Sequence, residues 1–223
     1  MRPMSEAVGV FLLTLSALFP IVDPLGGGPL FLALTHTYTP ATRRGLAWRI
    51  AVNGFFLMAA SYFIGSYVLS FFGISLPVVQ VAGGLVLAAM GWKMLREADS
   101  PEETLRKTIP AQDAFKRAFY PLTLPLTVGP GSVSVAVTLG ANASHLGGLS
   151  VPNRLAALIA MALIAISIFL CYAFADRLAR ALGETAMSVI VRLSSFLLFT
   201  IGVQITWNGI SSLLSTLTPG GRP

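Results

Sequence analysis

The stretch FPIVDPLGGGPLFLAL runs from Phe19 to Leu34. It continues an apolar run that begins near Val8, and the two pieces together are long enough to cross a bilayer. Yet they enclose three prolines, three glycines and the carboxylate of Asp23. Proline removes a backbone donor and clashes with the preceding turn, and it disfavours helical backbone in its predecessor. Pro20, Pro24 and Pro29 should therefore open a helix in the middle of its span. An opened backbone cannot face hydrocarbon, so the opening has to be buried in protein or line a cavity.

The whole chain supports a membrane setting. Of 223 residues, 55% are hydrophobic and only 11% charged, with a mean hydropathy of +0.77. The apolar residues come in blocks, which points to an all-α integral membrane protein with six transmembrane segments. These fall at about 7–37, 46–72, 76–95, 115–141, 155–174 and 186–214. The net charge of +6 sits in loops beside apolar blocks. That pattern fits anionic lipid and gives no reason to invoke nucleic acid. Twelve Lys and Arg, including Arg43, Arg96 and Arg177, fall on one side of this topology; Arg2, Arg154 and Arg222 fall on the other. The richer side is expected in the cytoplasm of a bacterial-type plasma membrane, with both termini outside. Cys171 lies in an apolar run and is the one cysteine, so it reads as a small buried hydrophobe.

The motif recurs. PIVDPLGGGP from Pro20 and PLTLPLTVGP from Pro121 share the pattern P-x-x-x-P-L-x-x-G-P without a gap. Pro121, Pro125 and Pro130 should break segment four as Pro20, Pro24 and Pro29 break segment one. Arg44 to Gly73 has the same spacing as Arg154 to Gly183, and Gly83, Gly84 and Gly91 match Ser194, Ser195 and Gly202. The chain then divides into repeat one (about 1–98), a cytoplasmic linker (about 99–112) and repeat two (about 113–223), forming a single transmembrane domain. Three segments per repeat make the halves enter the membrane from opposite sides. This inverted repeat with paired broken helices is characteristic of secondary transporters.

The breaks offer a site. With Pro29 and Pro130 in the first turn of resumed helices, N–H groups near Gly26, Gly27 and Gly28, and near Gly129, Gly131 and Ser132, would face the opening as anion donors. The last carbonyls before Pro20 and Pro121 would accept from a cation or ammonium group. Thr123, Thr127 and Ser132 add hydroxyls. Such a set suits a small zwitterion. Asp23, the one acid well inside an apolar segment, would bind an ammonium group, carry a proton or pair with a base. Arg192 either snorkels to the surface or forms an ionic latch with Asp23. No metal-ligand cluster and no cofactor motif is expected, since His36 and His145 fall on opposite faces. No GxxxxGK[ST], HExxH or GxSxG occurs, so an enzyme or an ATP-driven pump is not expected.

At DPLGGGPLF (Asp23 to Phe31) and PLTLPLTVGPGS (Pro121 to Ser132) the chain resembles the MarC family, also described as small neutral amino acid transporters, within the lysine-exporter superfamily. The resemblance spans nearly the whole chain. It implies a six-helix inverted repeat that moves small neutral amino acids such as glycine or alanine. One departure is Gly27, where the family often carries an asparagine that could bond the ligand. A proton or sodium ion is the candidate coupling ion, and an oligomer is compatible. The competing readings are a structural or chaperone-like membrane protein without transport, and an exporter of other small solutes.

Overall fold

The computed structural model describes residues 2–35, 37–97, 116, 118–145 and 150–217. The linker near 99–112, His36 and Arg222 lie outside these residues. The described residues form, in order, α1 Arg2–Val22, α2 Pro24–Leu34, α3 Pro40–Phe71, α4 Leu76–Glu97, a wide-turned segment α5 Ala118–Thr127, α6 Pro130–His145, α7 Val151–Ala173 and α8 Ala175–Leu217. Among the described residues there is no strand. The all-α membrane fold expected from hydropathy is therefore what the chain adopts.

Among the described residues, five spans are long and apolar enough to cross a membrane: Glu6–Leu34, Pro40–Phe71, Leu76–Arg96, Val151–Ala173 and Thr185–Ser215. The bent pair α5–α6 makes a sixth, with an angle of 71° between its halves. Large apolar side chains point outward along these spans, as lipid requires. Tyr67, Phe71 and Trp207 are exposed toward one end, and Trp48, Trp92 and Tyr120 toward the other. Two aromatic girdles are the arrangement that interfacial headgroups favour.

The main core lies between α1, α2, α3, α5 and α7, where Leu18, Phe31, Ile50, Leu122, Ile164 and Tyr172 are closed off from the surface. A second, smaller cluster joins Ile21, Leu87 and Leu198. Helices α4 and α8 run antiparallel and pack backbone to backbone through glycine. A Cβ on Gly84 would lie 2.7 Å from the carbonyl oxygen of Gly202, and one on Gly91 would lie 2.9 Å from that of Ser195. One on Gly209 would lie 2.7 Å from the carbonyl oxygen of Pro77. Any larger residue would force the helices apart, so Gly84, Gly91, Ser195 and Gly202 mediate this contact, whereas Gly83 meets Ser134 of α6 and Ser194 meets Gly26 of α2.

Gly73 and Gly183, paired by their spacing, are the glycines with positive φ among the described residues, at 67° and 75°. Gly73 follows α3, while Gly183 kinks α8 near its start. Arg43 and Asp176, at the starts of α3 and α8, form an ion pair of 2.6 Å, with Arg177 over the Phe174 ring at 5.4 Å. Its partners lie 133 residues apart, so no local pattern in the chain signals this contact.

Candidate functional site

The first break is narrower than the prolines imply. Helix α1 passes through Pro20 and stops at Val22. Asp23 alone leaves the helix, in the left-handed region at φ 45° and ψ 64°. This is a conformation that aspartate tolerates better than most side chains. Pro24 then takes the first position of α2, where a missing N–H costs nothing. Asp23 Oδ1 caps α2 by accepting from the N–H of Gly26 at 3.0 Å, and it also accepts from Ser194 Oγ at 3.1 Å. Pro29 lies inside α2, not in its first turn. The resumed helix therefore begins five residues earlier than the sequence led us to expect, because the aspartate supplies a cap that the second motif lacks. Its first turn carries Leu25 and Gly26, and the Gly26 N–H is already spent on Asp23.

The second break is wide. Tyr120 and Leu124, each before a proline, are extended, as the clash with proline demands. Pro121 and Pro125 offer no N–H, and the turns widen around them. Val128 N–H reaches back five residues to the carbonyl of Thr123 at 2.8 Å. The hydroxyls of Thr123 and Thr127 donate to the carbonyls of Ala118 and Leu122, at 2.8 Å each. These threonines stand in for missing backbone donors. Thr123 is fully buried, gives its proton to the backbone and does not line the cavity between the breaks. Helix α6 starts at Pro130 as expected. The N–H groups of its first turn, at Gly131 and Ser132, have no carbonyl within α6 to bond.

Both breaks open onto one cavity of about 420 Å³, lined by Asp23 and Gly27 from the first, by Thr127, Gly129 and Pro130 from the second, and by Ser132 of α6. Val86, Met90 and Lys93 of α4 close its other wall. The remaining expected residues do not line it. Gly26 abuts Ser194, Gly28 faces the Cys171 carbonyl, and Gly131 faces Leu87; Pro29 lies inside α2, outside the lining. The proposed pair of Asp23 with Arg192 is not formed. Arg192 is exposed, and Asp23 meets Ser194 two residues further along α8. The remaining oxygen, Asp23 Oδ2, is buried without a hydrogen-bond partner.

Tyr172 is the residue that sequence reasoning missed. Its side chain is buried, stacks on Phe31 at 4.7 Å, and sets its hydroxyl 3.0 Å from Thr127 Oγ1. Thr127 already donates to Leu122, so Tyr172 must be the donor. The same hydroxyl fills the place that a side chain at Gly27 would occupy. Tyr172 thus ties α2 to the α5 break from behind the cavity wall. A phenol within an otherwise apolar span, ALIAISIFLCYAF, was the available signal.

Residues 8–214 match the family described as MarC family integral membrane protein. The membrane protein YvbG of Bacillus subtilis is 28% identical over 204 residues, covering 91% of this chain and 94% of its own. The inner membrane protein MarC of Salmonella typhimurium is 30% identical over 224 residues, covering 97% and 99%. That of Citrobacter koseri is 31% identical over 225 residues, with the same coverage. No solved structure gives a significant match. A family match over nearly the full length, on a chain with this bent and interrupted helical architecture, places the protein in the MarC family of integral membrane proteins.

Proposed function

We propose that the chain is a secondary transporter or exporter of small neutral amino acids, held in the cavity between the two breaks. One observation carries this reading: the cavity sorts its polar groups by hydrogen-bonding sense. Asp23 Oδ2 and Thr127 Oγ1, whose proton is committed to Leu122, can only accept. The first turn of α6, which reaches the cavity at Ser132, can only donate from its backbone, with the positive end of the helix dipole behind it. An ammonium group fits the first wall and a carboxylate the second. Apart from Lys93 at its edge, the rest of the lining, such as Val86, Leu87 and Met90, is apolar and accommodates a short neutral side chain.

The packing supports the inverted repeat behind this reading. Gly91 and Gly202 are matched by the repeat, as are Gly84 and Ser195. In the structure Gly84 touches Gly202, while Gly91 touches Ser195. Such exchanged contacts are what a two-fold axis produces. The membrane location follows the relatives, several of which are named inner membrane proteins. Nothing in the site calls for bond chemistry, and the reading assigns the protein no enzymatic role.

The test is counterflow of labelled glycine, alanine and serine in proteoliposomes, with and without proton and sodium gradients. Saturable exchange that is lost in Asp23→Asn supports the reading. Absence of exchange for all three solutes in protein shown to be folded removes it.

A further inference from the structure

A second cavity, of about 310 Å³, lies on the other side of the first break. Ser16 and Pro20 of α1, Gln80 of α4, Thr138 of α6 and Asn208 of α8 line it. Ile21 lines this cavity and the Asp23 chamber alike. Leu87 and Leu198 line the Asp23 chamber and pack with Ile21 into the small apolar cluster that stands apart from the main core. Ile201 and Ile205 line the second cavity and pack against the same cluster from the far side. The three central side chains are only 6%, 4% and 6% exposed.

The two cavities are displaced along the same axis. In α4 the first is marked by Met90 and Lys93 and the second by Gln80, on the order of 15 Å apart at 1.5 Å per residue. Helix α8 runs the other way, and there Leu198 precedes Asn208. Each chamber therefore reaches toward a different end of the bundle, with Ile21, Leu87 and Leu198 at the level between them. Each chamber also has polar walls: Asp23, Thr127 and Ser132 in one, Gln80, Thr138 and Asn208 in the other.

We propose that these two chambers are the vestibules of one path and that Ile21, Leu87 and Leu198 form its closed gate. A girdle of apolar side chains excludes water and ions without any charge, and so prevents leak while the solute is bound. Leu87 and Leu198 sit on α4 and α8, which glycine contacts hold backbone to backbone. Ile21 sits two residues before Asp23, where the helix is interrupted. The movable leaf is therefore Ile21, and Asp23 is the joint on which it swings. Binding at Asp23 and opening of the gate then act on the same backbone position. This inference rests on the transport reading for its purpose, but its geometry is tested without any substrate.

The experiment starts from a Cys171→Ala background and places single cysteines at Met90 and at Asn208. Proteoliposomes of known orientation are treated with a membrane-impermeant methanethiosulfonate from either side. The expected result is labelling of Met90→Cys from one side only and of Asn208→Cys from the opposite side only. Adding Ile21→Ala should abolish this sidedness, and Leu198→Ala should do so if Ile21→Ala fails to fold. Labelling of both cysteines from the same side, or unchanged sidedness in a folded gate variant, overturns the gate. If sidedness behaves as stated while glycine, alanine and serine are not exchanged, the gate stands and the amino acid reading falls.

Discussion

A Gly27→Ala substitution adds one methyl group where α2 meets Tyr172. The new Cβ would overlap the Tyr172 hydroxyl oxygen, while the nearest ring atoms, Cζ and Cε1, lie 3.2 and 3.3 Å away. Tyr172 cannot retreat easily, because it is buried and stacked on Phe31. Overpacking of this kind costs about 1–3 kcal/mol, offset by roughly 1 kcal/mol from the better helix propensity of alanine. Tyr172→Phe alone removes the hydrogen bond to Thr127, worth about 1 kcal/mol. In the double variant the severe overlap is gone with the hydroxyl that caused it, and the ring carbons at 3.2 and 3.3 Å need to shift by only a few tenths of an ångström. Gly27→Ala should then be neutral or slightly stabilising in the Tyr172→Phe background, a coupling of about 1–3 kcal/mol. Thermal unfolding of the four purified proteins in detergent reads this directly, at roughly 2–4 °C per kcal/mol for a chain of this length. Additive effects of the two substitutions, with no coupling between them, would refute the placement of Tyr172 against Gly27.

Other perturbations follow from the same geometry. Asp23→Asn should fold, since asparagine also caps helices and tolerates positive φ, yet lose exchange in proteoliposomes. Asp23→Ala should in addition lower stability by about 0.5–2 kcal/mol through the lost cap, seen as a fall in unfolding temperature. Arg192→Gln combined with Asp23→Asn should give additive effects on exchange, because the two side chains do not meet; a strong non-additivity would restore the latch. Gly202→Leu should separate α4 from α8 and reduce the yield of monodisperse protein on size-exclusion chromatography, whereas Gly9→Leu, with open space around it, should not.

Six spans and two breaks were legible because apolar length and clustered proline are local properties. Tyr120 and Leu124 behaved as pre-proline residues should, and Pro130 opened a helix. The first motif misled because one residue changes its physics. Where the second motif has Leu124, the first has Asp23, whose carboxylate caps the chain at once and leaves Pro29 inside a helix. Thr123 and Thr127 looked like ligand hydroxyls, and only the widened turns show that their protons are committed to backbone carbonyls. Tyr172, Ser194 and the ion pair of Arg43 with Asp176 depend on which helices meet. Neither periodicity nor composition encodes that.

Direct binding bears hardest on the central claim, that a small zwitterion sits between the breaks. Labelled alanine is titrated onto detergent-purified protein, with excess unlabelled glycine or serine as competitor, for the parent and for Gly129→Leu, whose side chain would project toward Met90 across the cavity. The account predicts saturable, competed binding in the parent and none in the folded variant. Equal binding in both proteins would contradict it, as would a parent that binds none of the three amino acids.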